Sequence, residues 1–155
     1  MIRKTILVVD DHELMCSTVR DALMKVFPMA GVIVATNGLE AVAVTERSRP
    51  DVIVMDHHLP CMNGVDATRQ IKGLFPKTKV VFFTLSDDPS DHRAAQEAGA
   101  DGYARKDEGL GPLFALVKLY MRGGGEGAQV AAHGSLPASL STAARGGDYD
   151  ATHSG

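Results

Sequence analysis

"DVIVMDHHLPCMNG", residues 51–64, is an apolar, β-branched run that stops at a single aspartate and is followed by two histidines and a cysteine. Three more runs of the same kind occur along the chain: "TILVV" (5–9), "GVIVA" (31–35) and "KVVFFT" (79–84). Short, continuous, β-branched runs predict strands buried on both faces. Stretches of helical period lie between them. In the first, Met15, Val19, Leu23, Val26 and Phe27 recur at spacings of one, three and four, which lines up one apolar face. Further helices are predicted over 38–48, 65–75, 89–98 and 111–121. Asp88-Pro89 is suited to open the fourth, with proline at its first position, and Gly99 to close it. A weaker fifth strand, "DGYAR" (101–105), follows. Strands alternating with helices predict an open α/β fold with a parallel sheet, and right-handed crossovers put the loops that follow the strands at one edge.

The bulk properties fit that architecture. The 155 residues are 45% apolar and 23% charged, ordinary values for a globular domain. A formal net charge of -3 gives no reason to expect nucleic acid or a membrane as the main partner. Cys16 and Cys61 are too few for a disulfide framework. The opening "MIRKTILVVDD" has too short an apolar run for a signal peptide, and no stretch is long enough to span a bilayer, so a cytoplasmic location is expected. From residue 123 the composition turns to Gly, Ala and Ser without period. Residues 1–122 therefore read as the domain and 123–155 as a flexible tail.

Ligands of open α/β sheets sit outside the carboxyl ends of the strands. Asp10 and Asp11 end the first strand, Asp56 the third and Thr84 the fourth, while Lys106 follows the fifth. Three neighbouring carboxylates repel one another unless a cation holds them. A hard divalent cation, Mg2+, suits such a set and keeps water positions open for a phosphoryl oxygen. In that site Asp56 is suited to attack phosphorus, Lys106 to bind the phosphoryl oxygens as a point charge, and Thr84 to donate a hydroxyl. Taken singly, each residue has a plain structural reading: helix cap, strand terminator, packing threonine, solvated lysine. Their joint placement on one edge outweighs those readings. The soft-metal alternative, His57 and His58 with Cys61, fares worse. Adjacent side chains in an extended segment point to opposite sides, and no zinc-like spacing is present nearby. His12 is read as a helix-start residue and Cys61 as packed beneath its loop, with Pro60 and Gly64 shaping the turn.

"VVDDH", "VMDHHLPCMNG", "VVFFTLS" and "GADGYARKD" together resemble the response-regulator receiver domain of two-component signalling, over residues 4 to about 122. The resemblance implies a flavodoxin-like (βα)5 fold, strand order 2-1-3-4-5, with helices on both faces of the sheet. It also implies phosphotransfer from a sensor histidine kinase or phosphotransfer protein, Mg2+ dependence and slow self-catalysed hydrolysis, in a switch protein and not an enzyme. By position, Asp56 resembles the phosphoacceptor, Asp10 and Asp11 the acid pair, and Lys106 the phosphoryl-binding lysine. By the same resemblance, the backbone carbonyl of His58 falls at the position that completes the metal shell, and Thr84 with Tyr103 resembles the switch pair. A phosphoryl group adds roughly -1.5 to -2 charges and is expected to reshape the fourth helix, fifth strand and fifth helix for a downstream protein, in a monomer or a phosphorylation-promoted dimer.

The sequence departs from the family pattern at several points. Leu85 is bulky for the position after the switch threonine, where it is expected to crowd the pocket or hinder the inward swing of Tyr103. Asp107 replaces the frequent proline after the lysine, and His58 stands where side chains tune hydrolytic water. "DDH" and "KD" resemble receivers that precede a helix-turn-helix domain, but no such domain is legible in 123–155, so no direct DNA binding is expected. The receiver half of a DNA-binding transcriptional regulator that lacks its output domain is one rival reading, and a small Mg2+-dependent phosphohydrolase is the other. It calls for a second general acid two residues after the nucleophile, where this chain has His58.

Overall fold

The computed structural model describes residues 3–123; the reading of the tail lies, from residue 124 on, outside the described residues. Five strands alternate with five helices: β1 Thr5–Val9, α1 Glu13–Val26, β2 Gly31–Ala35, α2 Gly38–Ser48, β3 Val52–Met55, α3 Gly64–Leu74, β4 Lys79–Thr84, α4 Pro89–Glu97, β5 Gly102–Arg105 and α5 Gly111–Met121. The strands form one sheet in the order β2-β1-β3-β4-β5, and every pairing is parallel.

Alternation along each strand divides the core in two. Ile6, Val8, Val52, Val54, Val81 and Phe83 face one side, where Cys16, Val19 and Leu23 of α1 and Leu113, Leu116 and Val117 of α5 cover them. Leu7, Val9, Ile53, Met55, Val80 and Phe82 face the other, beneath Ala41 and Val44 of α2, Val65 and Ile71 of α3, and Ala95 of α4. Burial on both faces is why these strands read as unbroken apolar runs.

Local chemistry sets the helix starts. The side chains of Asn37, Asn63 and Asp88 accept from the N–H groups of Glu40, Asp66 and Ser90 at the starts of α2, α3 and α4, satisfying donors that have no partner within the helix. Pro89 occupies the first turn of α4 as expected, and Gly99 after it has φ of 105°. Between β3 and α3 the chain folds back tightly. Gly64 N–H donates to His57 O at 2.9 Å, and a Cβ on Gly64 would lie 2.0 Å from the carbonyl oxygen of Asp56. Only glycine permits that approach. The left-handed residue of this loop is Cys61, with φ of 68°. Its side chain is exposed, which corrects the expectation that it packs under the loop: the turn conformation aims it outward.

Candidate phosphoacceptor site

Strand register builds the site. Val9 pairs with Met55, so the residues that follow, Asp10 and Asp56, leave the sheet side by side. Thr84 pairs with Arg105, which brings Lys106 across from β5. Lys106 Nζ donates to Asp10 Oδ2 at 2.6 Å and to Asp56 Oδ2 at 3.2 Å, and the three side chains are 4–7% exposed. The other oxygen of Asp56 accepts from the His57 backbone N–H at 2.8 Å. Asp10 Oδ1 accepts from His12 N–H at 2.9 Å.

Charge is out of balance here. Burial pushes the Asp56 carboxyl above its ordinary value; Lys106 opposes this and Asp10 adds to it. Burial alone would lower Lys106, but its hydrogen bond to Asp10 and the charges of Asp56 and Asp10 prevail and raise it. Carboxylate oxygens of Asp10, Asp11 and Asp56 and a ring nitrogen of His12 all lie within 4.8 Å of one another. One ammonium cannot neutralise three carboxylates, and hard oxygen donors at that spacing fit a divalent cation. The donor chemistry thus agrees with Mg2+.

A cleft of about 390 Å3 opens above these groups, lined by His12, Asp56, His58, Thr84, Leu85, Ser86 and Lys106. Thr84 is buried, and its hydroxyl oxygen accepts from Ser86 N–H at 3.3 Å. Tyr103 lies inward and buried. Its ring stacks on Phe82 at 6.0 Å, meets the edge of His92 at 4.6 Å, and its hydroxyl donates to Ser86 O at 3.4 Å. Burial, with the nearby charge of Asp91, raises its phenol to about 12. Leu85 is 67% exposed and lines the rim of the cleft, and Tyr103 lies inward in its presence.

The structure therefore gathers Asp10, Asp11, Asp56, Thr84, Lys106 and His58 at one edge, with Tyr103 in the core just beneath. It bears out one further expectation and corrects another. His12 starts α1 as expected, at its N-cap, and its Nδ1 also lies 3.0 Å from Asp10 and 3.3 Å from Asp11. And the rings of His57 and His58 do not diverge. The chain has left the strand before His57, so alternation no longer applies; the ring centroids are 4.8 Å apart and both Nε2 atoms approach Asp91. Ser86 and Asp91 escaped the sequence reading, since nothing in periodicity or spacing marks them.

The fold and the site together define a flavodoxin-like α/β domain that gathers acids, a hydroxyl and a lysine at the carboxyl edge of its sheet. Residues 6–118 match the response regulator receiver domain, and the chain belongs to that family. It is 34% identical to the transcriptional regulatory protein DegU of Brevibacillus brevis, over 77% of this chain and 50% of that one. It is 35% identical to the chemotaxis protein CheY of Halobacterium salinarum, over 66% of this chain and 84% of that one. Among solved structures, the BeF3-activated DrrB receiver domain superposes with a TM-score of 0.69 at 29% identity, over 78% of this chain and 99% of that one. The chain spans about half the length of the first of the curated relatives it matches. Receiver domains are phosphoacceptor switches of two-component response regulators, and phosphorylation-dependent signalling is the family's function.

Proposed function

We propose that Asp56 accepts a phosphoryl group from a sensor histidine kinase or phosphotransfer protein and that the loops around it pass the change to a protein partner. One observation carries the reading: Asp56 is buried at a strand end with one carboxylate oxygen held by Lys106 at 3.2 Å and the other by the His57 N–H. Those contacts orient the carboxylate at the floor of the cleft.

In the transfer, an oxygen of Asp56 attacks phosphorus, the P–O bond forms as the donor's P–N bond breaks, and the departing imidazole takes up a proton. Lys106 moves its hydrogen bonds from carboxylate to phosphoryl oxygen, and Thr84 turns its hydroxyl from Ser86 toward the same group. Asp10, Asp11, Asp56 and the backbone carbonyl of His58 would hold Mg2+. When bound, the cation supplies charge neutralisation for carboxylates and phosphoryl oxygens that otherwise repel.

Ser86 links acceptor to output. It touches Thr84, Tyr103 and Asp91 of α4, so a shift of Thr84 bears directly on the face formed by α4, β5 and α5. No described helix is long and apolar enough to cross a membrane, in keeping with a cytoplasmic site of action. With acetyl phosphate and Mg2+, intact-protein mass spectrometry should find one added phosphoryl group on the wild type and none on Asp56→Ala. Equal labelling of the two would falsify the assignment.

A further inference from the structure

His57, His58 and Asp91 form a second constellation beside the acceptor, outside the acidic pocket. His57 Nε2 lies 3.8 Å from Asp91 Oδ1 and His58 Nε2 lies 3.5 Å from Asp91 Oδ2. One ligand atom from each residue lies within 4.8 Å of the other two. In a tetrahedral zinc site, bonds of about 2.0–2.1 Å set neighbouring ligand atoms about 3.3–3.4 Å apart. The His58 spacing to Asp91 Oδ2 is already close to that edge, and the His57 spacing to Oδ1 is somewhat longer. The His58 side chain is 73% exposed and can swing the remaining distance. His57 is fixed by burial, its ring edge against Phe82 at 5.6 Å. Ser86 Oγ donates to Asp91 Oδ2 at 2.5 Å, the kind of outer hydrogen bond that orients a ligating carboxylate.

We infer that His57 Nε2, His58 Nε2 and an Asp91 carboxylate oxygen bind a borderline divalent cation of the zinc class, with a fourth position left to water. Two imidazoles and one carboxylate favour Zn2+ over Mg2+, which takes oxygen ligands. His57 Nε2 now contacts the backbone oxygen of Asp91 at 3.2 Å. Coordination replaces that contact, with the ring proton on Nδ1. The ion ties the loop after the acceptor to the first turn of α4, two segments that His57 Nε2 now joins at the Asp91 backbone oxygen.

The test is thermal melting and calorimetric titration of the full chain with Zn2+ in excess Mg2+, which keeps the acidic pocket filled. Zinc should raise the melting temperature of the wild type, because a ligand that binds only the folded state stabilises it. His58→Ala, at an exposed side chain, should fold normally and weaken zinc binding on the order of 100-fold, as should Asp91→Asn. Asp56→Ala, and a His133→Ala/His153→Ala double variant, should retain it. The inference is overturned if the wild type shows no zinc-dependent shift, if His58→Ala binds as tightly as wild type, or if binding disappears with Asp56→Ala or with the distal histidines. Because Asp56→Ala cannot take a phosphoryl group, zinc binding and phosphotransfer stand or fall separately.

Discussion

Two lysine–aspartate pairs sit at opposite edges of the same sheet. At the amino edge, Lys72 Nζ donates to Pro76 O at 3.1 Å, Thr78 O at 2.8 Å and Asp101 Oδ2 at 2.9 Å. An ammonium has three protons, and all three are placed. Asp101 Oδ2 also accepts from Val80 N–H at 2.9 Å and its Oδ1 lies 3.9 Å from Lys79 Nζ, so both partners of this pair are fully engaged. At the carboxyl edge, Lys106 faces Asp10 and Asp56, with Asp11 and His12 close by. There the negative groups outnumber the positive one. A buried ion pair by itself thus says little about function. Satisfaction marks a structural pair, and surplus charge marks a site with chemistry left to do.

The largest effect expected of any substitution in these pairs lies at the structural edge. Asp101→Asn leaves Lys72 and Lys79 without their shared counter-charge and should cost about 3 kcal/mol of stability in urea unfolding, the low end of the scale for breaking a largely buried pair. Phosphoryl uptake per folded molecule should be unchanged. A fall in uptake that exceeds the loss of folded protein would break the division between the edges.

Lys106→Ala comes next. Removing a preorganised charge from the reacting group costs on the order of 100-fold in rate, or about 2.7 kcal/mol of barrier. Stopped-flow measurement of phosphoryl uptake should show that loss, while Lys72→Ala, corrected for folded fraction, should show none.

A smaller effect distinguishes surplus from satisfaction through pH. Burial raises the Asp56 carboxyl in the folded protein, so the fold holds the proton more tightly than the unfolded chain does. Protonation of Asp56 therefore favours the fold, and its ionised form works against it at pH above the raised value. That favourable contribution is fully present below the ordinary value of 3.8 and is lost as pH rises through the folded one. Asp56→Asn cannot ionise and leaves Lys106 its bond to Asp10. In EDTA at pH 7 it should therefore melt at a higher temperature than the wild type. The gain should shrink as pH falls toward 3.8. Equal melting temperatures at pH 7 would mean that Lys106 already compensates Asp56 fully, as Lys72 does Asp101.

What could be read from the amino acids follows the same physical line. The strands were legible because a sheet covered on both faces leaves unbroken apolar runs, and their ends then located Asp10, Asp56, Thr84 and Lys106 without any knowledge of packing. Register did the rest. The convergence of His57, His58 and Asp91 was not legible. It depends on the bend that begins after Met55 and on a contact spanning 34 residues, neither of which leaves a period in the sequence. Alternation ends with β3 at Met55, and His57 and His58 lie two and three residues past it. Cys61 misled for a related reason: its left-handed backbone, which glycine more often supplies, turns the side chain outward.

The smallest expected effect sharpens the contrast between the edges at the level of single hydroxyls. Tyr120 donates to Asp101 O at 2.7 Å, a short bond within the closed network of the amino edge. Tyr103 donates to Ser86 O at 3.4 Å, near the limit of a hydrogen bond. Removing either hydroxyl keeps the ring, and with it the stacking of Tyr103 on Phe82 and its contact with His92. Tyr120→Phe should then cost about 1 kcal/mol and Tyr103→Phe about 0.5 kcal/mol or less, the lower end for a neutral hydrogen bond. Paired urea titrations resolve that difference when the two variants share an m-value. If Tyr103→Phe cost as much as Tyr120→Phe, the Tyr103–Ser86 link would be a structural clamp like its counterpart. A cost near zero would leave Ser86 free to follow Thr84, as a switch requires.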